Sequence, residues 1–559
     1  MRELYLDIME KALSAYTPQR IRDYIDTVKA EDLKEHGFPR LGANIGILIA
    51  NGRRTDLMDT FVEIMDLCCE AMPRKKAAND FSIREVCCCL MLMEEKGILS
   101  RKLINKWKQQ LAGFDPWTRY SDVDDNSGRM VYNWALFATV SEYMRGVCCG
   151  IDTSEFVDHQ LPSQLANLDC NDMYQDDPPF NHAVYDLMPR VLMAFLLRAG
   201  YRGKYAARLE QVLDNTAELT LQMQSVTGEL AFGGRSNQFL HNEAVLSTYC
   251  ELEATRFAEK GDMARAGQFK AAAQLAAKAC TRYLSLEPIS HVKNRYPVDS
   301  TIGCEGYAYF NKYMITVASN VYMGIHFMNE DIPATVAPAE AGGFVAQTSE
   351  RFHKVFLNAG GYGLEYDTHA YPDYDGSGLG RVHKRGCPSA LCLSVPFARS
   401  PHYGIPEKKN PSAMSICSYV LADGKKFLSA EEQAQHTLLS SSQTEKEVCA
   451  EFEVKITGEI TVYAQYTVSE KGVDICQSGY ETAGFMLPVF DFDGAEHTKI
   501  EIEEGALSVR YQGAVCHYRF DGTLDPEFKY YYNRNGGYRV YMVAAKKLHI
   551  EMEEESHEV

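Results

Sequence analysis

The sequence lacks the features that would assign it to several large classes. No run of about 18 apolar residues occurs in its 559, so no bilayer-spanning helix is expected. Its seventeen cysteines include no CxxC pair, which argues against a cysteine-rich zinc site. There is no GxSxG elbow, no phosphate-binding P-loop and no HExxH, which weakens the hydrolase-elbow, nucleotide and zinc-protease readings. Positive charge is also short: 57 Lys+Arg stand against 76 Asp+Glu, a net −19. That deficit argues against nucleic acid, whose capture rests on neutralising phosphates, and against anionic membrane surfaces. It leaves room for an acidic substrate met by a local cluster of Arg and Lys inside a cleft. The opening residues MRELYLDIMEKALSAY lack the apolar core of a signal peptide, and a reducing cytoplasmic setting is expected. There Cys87-Cys88-Cys89 and Cys148-Cys149 read as small buried hydrophobes rather than disulfide partners.

What is present falls into two textures. Residues 1 to about 330 carry roughly a dozen apolar patterns of 3.6-residue period, among them 57–72, 83–97, 130–146, 184–200, 206–224, 241–261, 262–286 and 306–323. Gly97, Gly146, Gly200 and Gly261 read as helix ends. Many amphipathic helices joined by short loops must pack helix on helix. With no repeat of fixed period, a closed α/α toroid of unrelated helical hairpins is preferred to a solenoid. From about 340 the segments become short and alternating. Residues 451–480 read as three strands, and Asp423-Gly424, Asp493-Gly494, Asp521-Gly522 and Asn535-Gly536 as tight turns. The expectation is an α+β multidomain chain: an N-terminal α/α toroid over 1–330, a linker at 329–343, and a C-terminal antiparallel β-sandwich over 340–559.

Four loops gather polar residues. The first, 173–186, places Asp176, Asp177, Asn181 and His182 ahead of a helix, as a capped acidic turn or as a cleft edge offering Asn181 and His182. In 228–244 two glycines precede Arg235, Ser236, Asn237, His241, Asn242 and Glu243. Asn237 and His241, four apart, share a face if helical, and Ser236 is also a natural cap. Residues 294–313 carry Arg295, Asp299, Glu305, Tyr307, Tyr309 and Tyr313. Residues 365–385 carry His369, Arg381, His383, Lys384 and Arg385 around Gly376-Ser377-Gly378. No helix pattern follows that triplet, so it is no dinucleotide site. Dense polar and aromatic residues there read as a loop laid across a binding cleft. Asp367, His369, His383 and Cys387 have only generic metal spacing; no metal and no cofactor are expected.

A helical half, an Asn/His element, a later Tyr and a His in the sheet half together resemble the heparinase II/III-like polysaccharide lyases and their alginate-lyase relatives. The resemblance is architectural over nearly the whole chain. It implies β-elimination on a uronate-containing oligo- or polysaccharide. It makes Asn237 or Asn242 the group that neutralises the substrate carboxylate, with His241 beside it. It makes Tyr307 a base or acid, and His369 or His383 the sheet histidine. The adjacent Asn-His order of some relatives is absent from the 237–242 element and occurs instead at Asn181-His182.

The chemistry sets its own demands. The enolate-like charge needs preorganised donors, for which Asn237, Asn242 and Arg235 are suited. A tyrosine base needs cationic charge nearby, from Arg295, Arg381 or His369. His241 and His383 titrate in the useful range without tuning. Two rivals remain. A glycoside hydrolase on the same fold, glucuronidase-like, would use a carboxyl pair, best Glu243 and Glu305. A non-catalytic carbohydrate-binding protein would present aromatic platforms without converging titratable groups.

Overall fold

The computed structural model describes residues 1–177, 182–431 and 433–555. The chain folds into two compact units. One comprises Met1–Ala217, Leu240–Ser285 and Ala308–Ala334; the other comprises Glu218–Phe239, Leu286–Tyr307 and Thr335–Val559. The division therefore runs through the chain five times rather than once near 330–340, because two polar loops and their flanks fold with the sheets.

In the helical unit six helices pack in succession: Gly37–Ala50, Asn79–Glu95, Asn133–Cys149, Val184–Arg198, His241–Glu259 and Phe310–Phe327. The last packs back on the first, closing the ring. These helices are buried on nearly all sides. The outer helices Pro18–Glu31 and Arg101–Ala112 bury one stripe each, Ile21/Ile25/Val28 and Ile104/Trp107/Leu111, as the apolar pattern of each kind demands. A polar network runs inside the ring: Asn44 Nδ2 donates to Ser319 Oγ at 2.9 Å, and Ser319 Oγ to Glu85 Oε2 at 2.6 Å. Gly146 does not end its helix, which continues to Cys149 and stops at Gly150 in the left-handed conformation. Its missing side chain serves packing instead, since a Cβ would lie 2.5 Å from Thr153 Oγ1 and 3.0 Å from the Ile151 carbonyl.

The second unit is antiparallel throughout its named strands. A four-stranded sheet runs in order β1 (Phe344–Gln347), β2 (Lys354–Ala359), β3 (Tyr362–Asp367), β4 (Gly378–Lys384). An eight-stranded sheet spans from the strand Lys499–Glu503 to the strand Gln435–Gln443. A five-stranded sheet runs in order Thr523–Tyr532, Gly537–Ala544, Ala483–Phe492, Cys417–Ala422, Lys425–Leu428. Side chains of all three share one apolar core, including Leu357, Leu364, Phe452, Val462, Leu487 and Val540. The residues 451–480 fall in three strands, and Asp423-Gly424 makes a hairpin turn with both residues at positive φ.

Alternation gives the four-stranded sheet two unlike faces. Val355, Leu357, Leu364, Tyr366 and Val382 enter the apolar core. The opposite face carries Lys354, Glu365, Asp367, Arg381 and His383, all buried. Cross-strand register explains their pairing, with Lys354 opposite Asp367 and Glu365 opposite Arg381. Lys354 Nζ lies 2.7 Å from Asp367 and 3.2 Å from Glu365, and His353 Nδ1 lies 2.6 Å from Asp367.

Candidate functional site

The charged sheet face holds the segment that leads into the polar loop. The Phe232 amide donates to Glu365 at 3.1 Å, and Arg381 Nη1 donates to the Leu230 carbonyl at 2.7 Å. The Phe232 ring lies under the Lys354 ammonium, 3.4 Å from ring centroid to nitrogen. His383 bonds Ser225 Oγ at 2.6 Å and Thr227 Oγ1 at 3.1 Å through Nδ1, and Ser394 Oγ at 2.8 Å through Nε2. Nearby, Glu229 pairs with Lys293 at 3.2 Å and accepts from the Ser389 hydroxyl. Arg381 and His383 thus anchor residues 225–232.

Beyond this anchor the backbone enters the left-handed region at Gly233, Gly234, Ser236 and Gln238. Glycine adopts this freely; Ser236 and Gln238 must be held there. Two carboxylates and one guanidinium brace this stretch. Asp375 Oδ2 accepts from the Gly234 amide at 3.0 Å, and Glu305 Oε1 accepts from the Ser236 amide at 2.9 Å. Arg534 donates to Glu305 Oε1 at 2.6 Å and to the Gly303 carbonyl at 2.7 Å. Its guanidinium stacks on Tyr403, 4.0 Å from the ring centroid. Ser236 therefore caps no helix; its hydroxyl lies 3.2 Å from the half-buried Tyr307 hydroxyl.

Burial dominates the electrostatics. It raises the carboxyl of Asp375 to about 6, with the neighbouring Asp367 adding to the rise and Lys354 and Arg534 opposing it. Burial alone would lower Arg534, but Glu305 outweighs it and holds the guanidinium charged. Asp367 shows the opposite balance: burial would raise it, yet His353 and Lys354 beside it keep it ionised far below the usual carboxylate range. Asn237 is buried; its Oδ1 accepts from Gln238 Nε2 at 3.0 Å, while its Nδ2 has no hydrogen-bond partner among the described residues.

The sheet unit thus brings Asn237, Glu305 and Tyr307 together, with the half-exposed Arg235 on the same loop. Arg295 is engaged elsewhere, by Asp493 and Glu496 at 3.1 Å each. His369 is exposed at the end of β3, its ring 6.0 Å from that of His353. In the helical unit His241, Asn242 and Glu243 form the buried first turn of the helix His241–Glu259, with the His241 ring 5.8 Å from Tyr313. His182 is buried just ahead of the helix Val184–Arg198; Asn181 lies outside the described residues. Asp375, Tyr403 and Arg534 were not singled out by sequence. Arg534 sits in Asn533-Arg534-Asn535-Gly536, which reads as a turn. A cation in so tight a turn was the available signal.

No protein-family model and no curated protein sequence matches the chain. Among solved structures it is similar to a heparinase III, with 8% sequence identity over 91% of this chain and 75% of that one at a TM-score of 0.48. It is similar to a baculovirus-envelope chondroitin lyase at 9% identity, over 90% and 73%, with a TM-score of 0.44. A GH127 β-L-arabinofuranosidase from Geobacillus stearothermophilus T6 aligns at 11% identity over 99% of each chain, with a TM-score of 0.35.

Proposed function

We propose that the loop 233–238 and Tyr307 form the centre of a carbohydrate-active site that cleaves a uronate-containing oligosaccharide by β-elimination. The observation that carries this reading is the half-buried Tyr307 hydroxyl, held 3.2 Å from Ser236 on a backbone pinned by the Glu305–Arg534 pair. In the reaction Tyr307 takes the C5 proton, and the C5–H electron pair passes into the uronate carboxylate as an enolate. That pair then forms the C4=C5 double bond as the C4–O bond breaks, and the leaving oxygen takes a proton. Tyr307 is the group that transfers a proton, since it alone of this cluster combines an ionisable hydroxyl with access to solvent. Charge gathers on the uronate carboxylate in the transition state. Asn237 Nδ2 and Arg235 are the donors suited to meet it, and one such donor is worth about 3–4 kcal/mol.

The test is incubation with uronate-containing oligosaccharides while following the ultraviolet absorbance of an unsaturated product. Absorbance that disappears in Tyr307→Phe supports the reading; full activity in that variant overturns the role of Tyr307. One observation favours a second reading. Asp375, a buried acid raised to about 6 within the same cluster, has the protonation behaviour of a glycosidase general acid. Reducing sugar without absorbance, lost in Asp375→Asn, would establish hydrolysis instead.

A further inference from the structure

A pocket of about 410 Å³ opens in the sheet unit, lined by residues of both edge strands of the five-stranded sheet. Lys426 comes from the edge strand Lys425–Leu428 and Lys529 from the opposite edge, Thr523–Tyr532; Arg399 adds a third cation. Among the described residues none of the three makes an ion pair or side-chain hydrogen bond. Among the described residues one carboxylate, Glu431, shares the lining, so three positive groups there stand against one negative. In a chain of net charge −19 this is a local reversal of sign. Burial, and then the charge of Lys529, pull Lys426 below the usual lysine value. The two ammonium groups are therefore close enough to repel each other. The pocket also has a hydroxyl, Ser412, and an aromatic wall, Phe427. A concave site whose described lining has more cations than carboxylates is the arrangement that captures an anion.

We propose that this pocket is a second saccharide-binding site, taking a sulfate- or carboxylate-bearing unit of an anionic oligosaccharide. The saccharide class rests on the reading of the Tyr307 site, whereas the anion preference rests on the pocket alone. Arg399, Lys426 and Lys529 would bind the anionic substituent, and Phe427 would carry a sugar face. The site adds no chemistry; it holds a chain that reaches beyond the unit being cleaved.

The test uses the full chain and three probes: inorganic sulfate, a sulfated uronate-containing oligosaccharide, and the uncharged oligosaccharide of equal length. Binding is measured by calorimetry at several salt concentrations. The sulfated oligosaccharide should bind, weaken as salt rises, and bind about tenfold more weakly to K426Q/K529Q. The melting temperature of unliganded K426Q/K529Q should match or exceed that of the parent, because a repulsion is removed; should that pair fail to fold, the exposed Lys529→Gln alone should give a smaller loss of affinity. Equal binding of the charged and uncharged oligosaccharides, or unchanged affinity in the lysine variants, overturns the proposal. Binding of inorganic sulfate without the oligosaccharide overturns it as a saccharide site. Lysine-dependent binding without any unsaturated product leaves this site standing and removes elimination at Tyr307. Product formation with unchanged binding in the lysine variants does the reverse.

Discussion

Arg534 and Glu305, 229 residues apart in sequence, form an ion pair sealed from solvent, with 2.6 Å between Nη2 and Oε1. The same Glu305 oxygen accepts the amide of Ser236, so the pair fixes the loop that presents the Tyr307 contact. Removing one partner leaves the other charge buried and alone, which costs about 3–5 kcal/mol. Glu305→Gln is therefore expected to lower the stability measured by urea unfolding by that amount. A double variant, Glu305→Gln with Arg534→Met, should recover part of the loss. A double variant as unstable as the sum of its singles would show that the two residues do not act as a pair.

Tyr307 offers the opposite case. Its hydroxyl has a neutral protein contact in the buried Ser236 but also reaches solvent, so its removal strands no buried charge. Tyr307→Phe should change unfolding stability by no more than about 1 kcal/mol. If Tyr307 transfers a proton in the reaction, the same variant should lose about 10²–10⁴-fold in kcat. A loss of stability without a specific loss of rate would make it a structural tyrosine.

The change from a 3.6-residue to a two-residue period near 340 was legible, because each pattern reports which faces of an element are buried. The ownership of Glu218–Phe239 and Leu286–Tyr307 was not. These segments carry no ladder pattern, and they join the sheets through single contacts such as the Phe232 amide to Glu365. The expectation of a loop over 365–385 fails, because Arg381 and His383 stand two apart on one face of β4. Nothing local told that this face would be sealed, since that depends on a segment some 150 residues earlier in the chain. Arg534 was hidden for the same reason: a turn sequence predicts solvent, and only the packing of Tyr403 and Gly303 against it makes its charge a buried one.

Asp375 gives stability a pH dependence with a defined sign. Its folded carboxyl titrates near 6, above the unfolded value of about 3.9. Between these values the folded state binds more protons than the unfolded state. Stability contributed by this group is thus complete below about pH 4 and declines until about pH 6, a swing of at most ~3 kcal/mol. Asn keeps an oxygen for the Gly234 amide and cannot ionise. Asp375→Asn should flatten the pH 4–6 slope of the urea midpoint and match or exceed the parent at pH 7. An unchanged slope would assign the dependence to other groups, such as Asp80, which burial also raises to about 6.

Gly380 tests whether the anchored segment governs the loop ahead of it. A Cβ at this position would lie 2.4 Å from Phe232 Cζ and 2.7 Å from Pro396 Cγ. Both neighbours are ring atoms: Phe232 is fully buried beneath Lys354, and Pro396 belongs to the segment beside β4. Neither can swing away as a flexible side chain would, so Gly380→Ala must displace Phe232 or the strand. Overpacking of this kind costs about 1–3 kcal/mol. Because Phe232 stands one residue before Gly233, the displacement enters the left-handed stretch that sets Ser236 against Tyr307. The variant is therefore expected to lose rate on the oligosaccharide substrate beyond what its stability loss explains at a temperature well below melting. Phe232→Leu in the Gly380→Ala background, which relieves the clash with a smaller apolar side chain, should restore part of both. Full activity in Gly380→Ala with lowered stability would mean that the loop is held by Glu305, Asp375 and Arg534 without help from the sheet face.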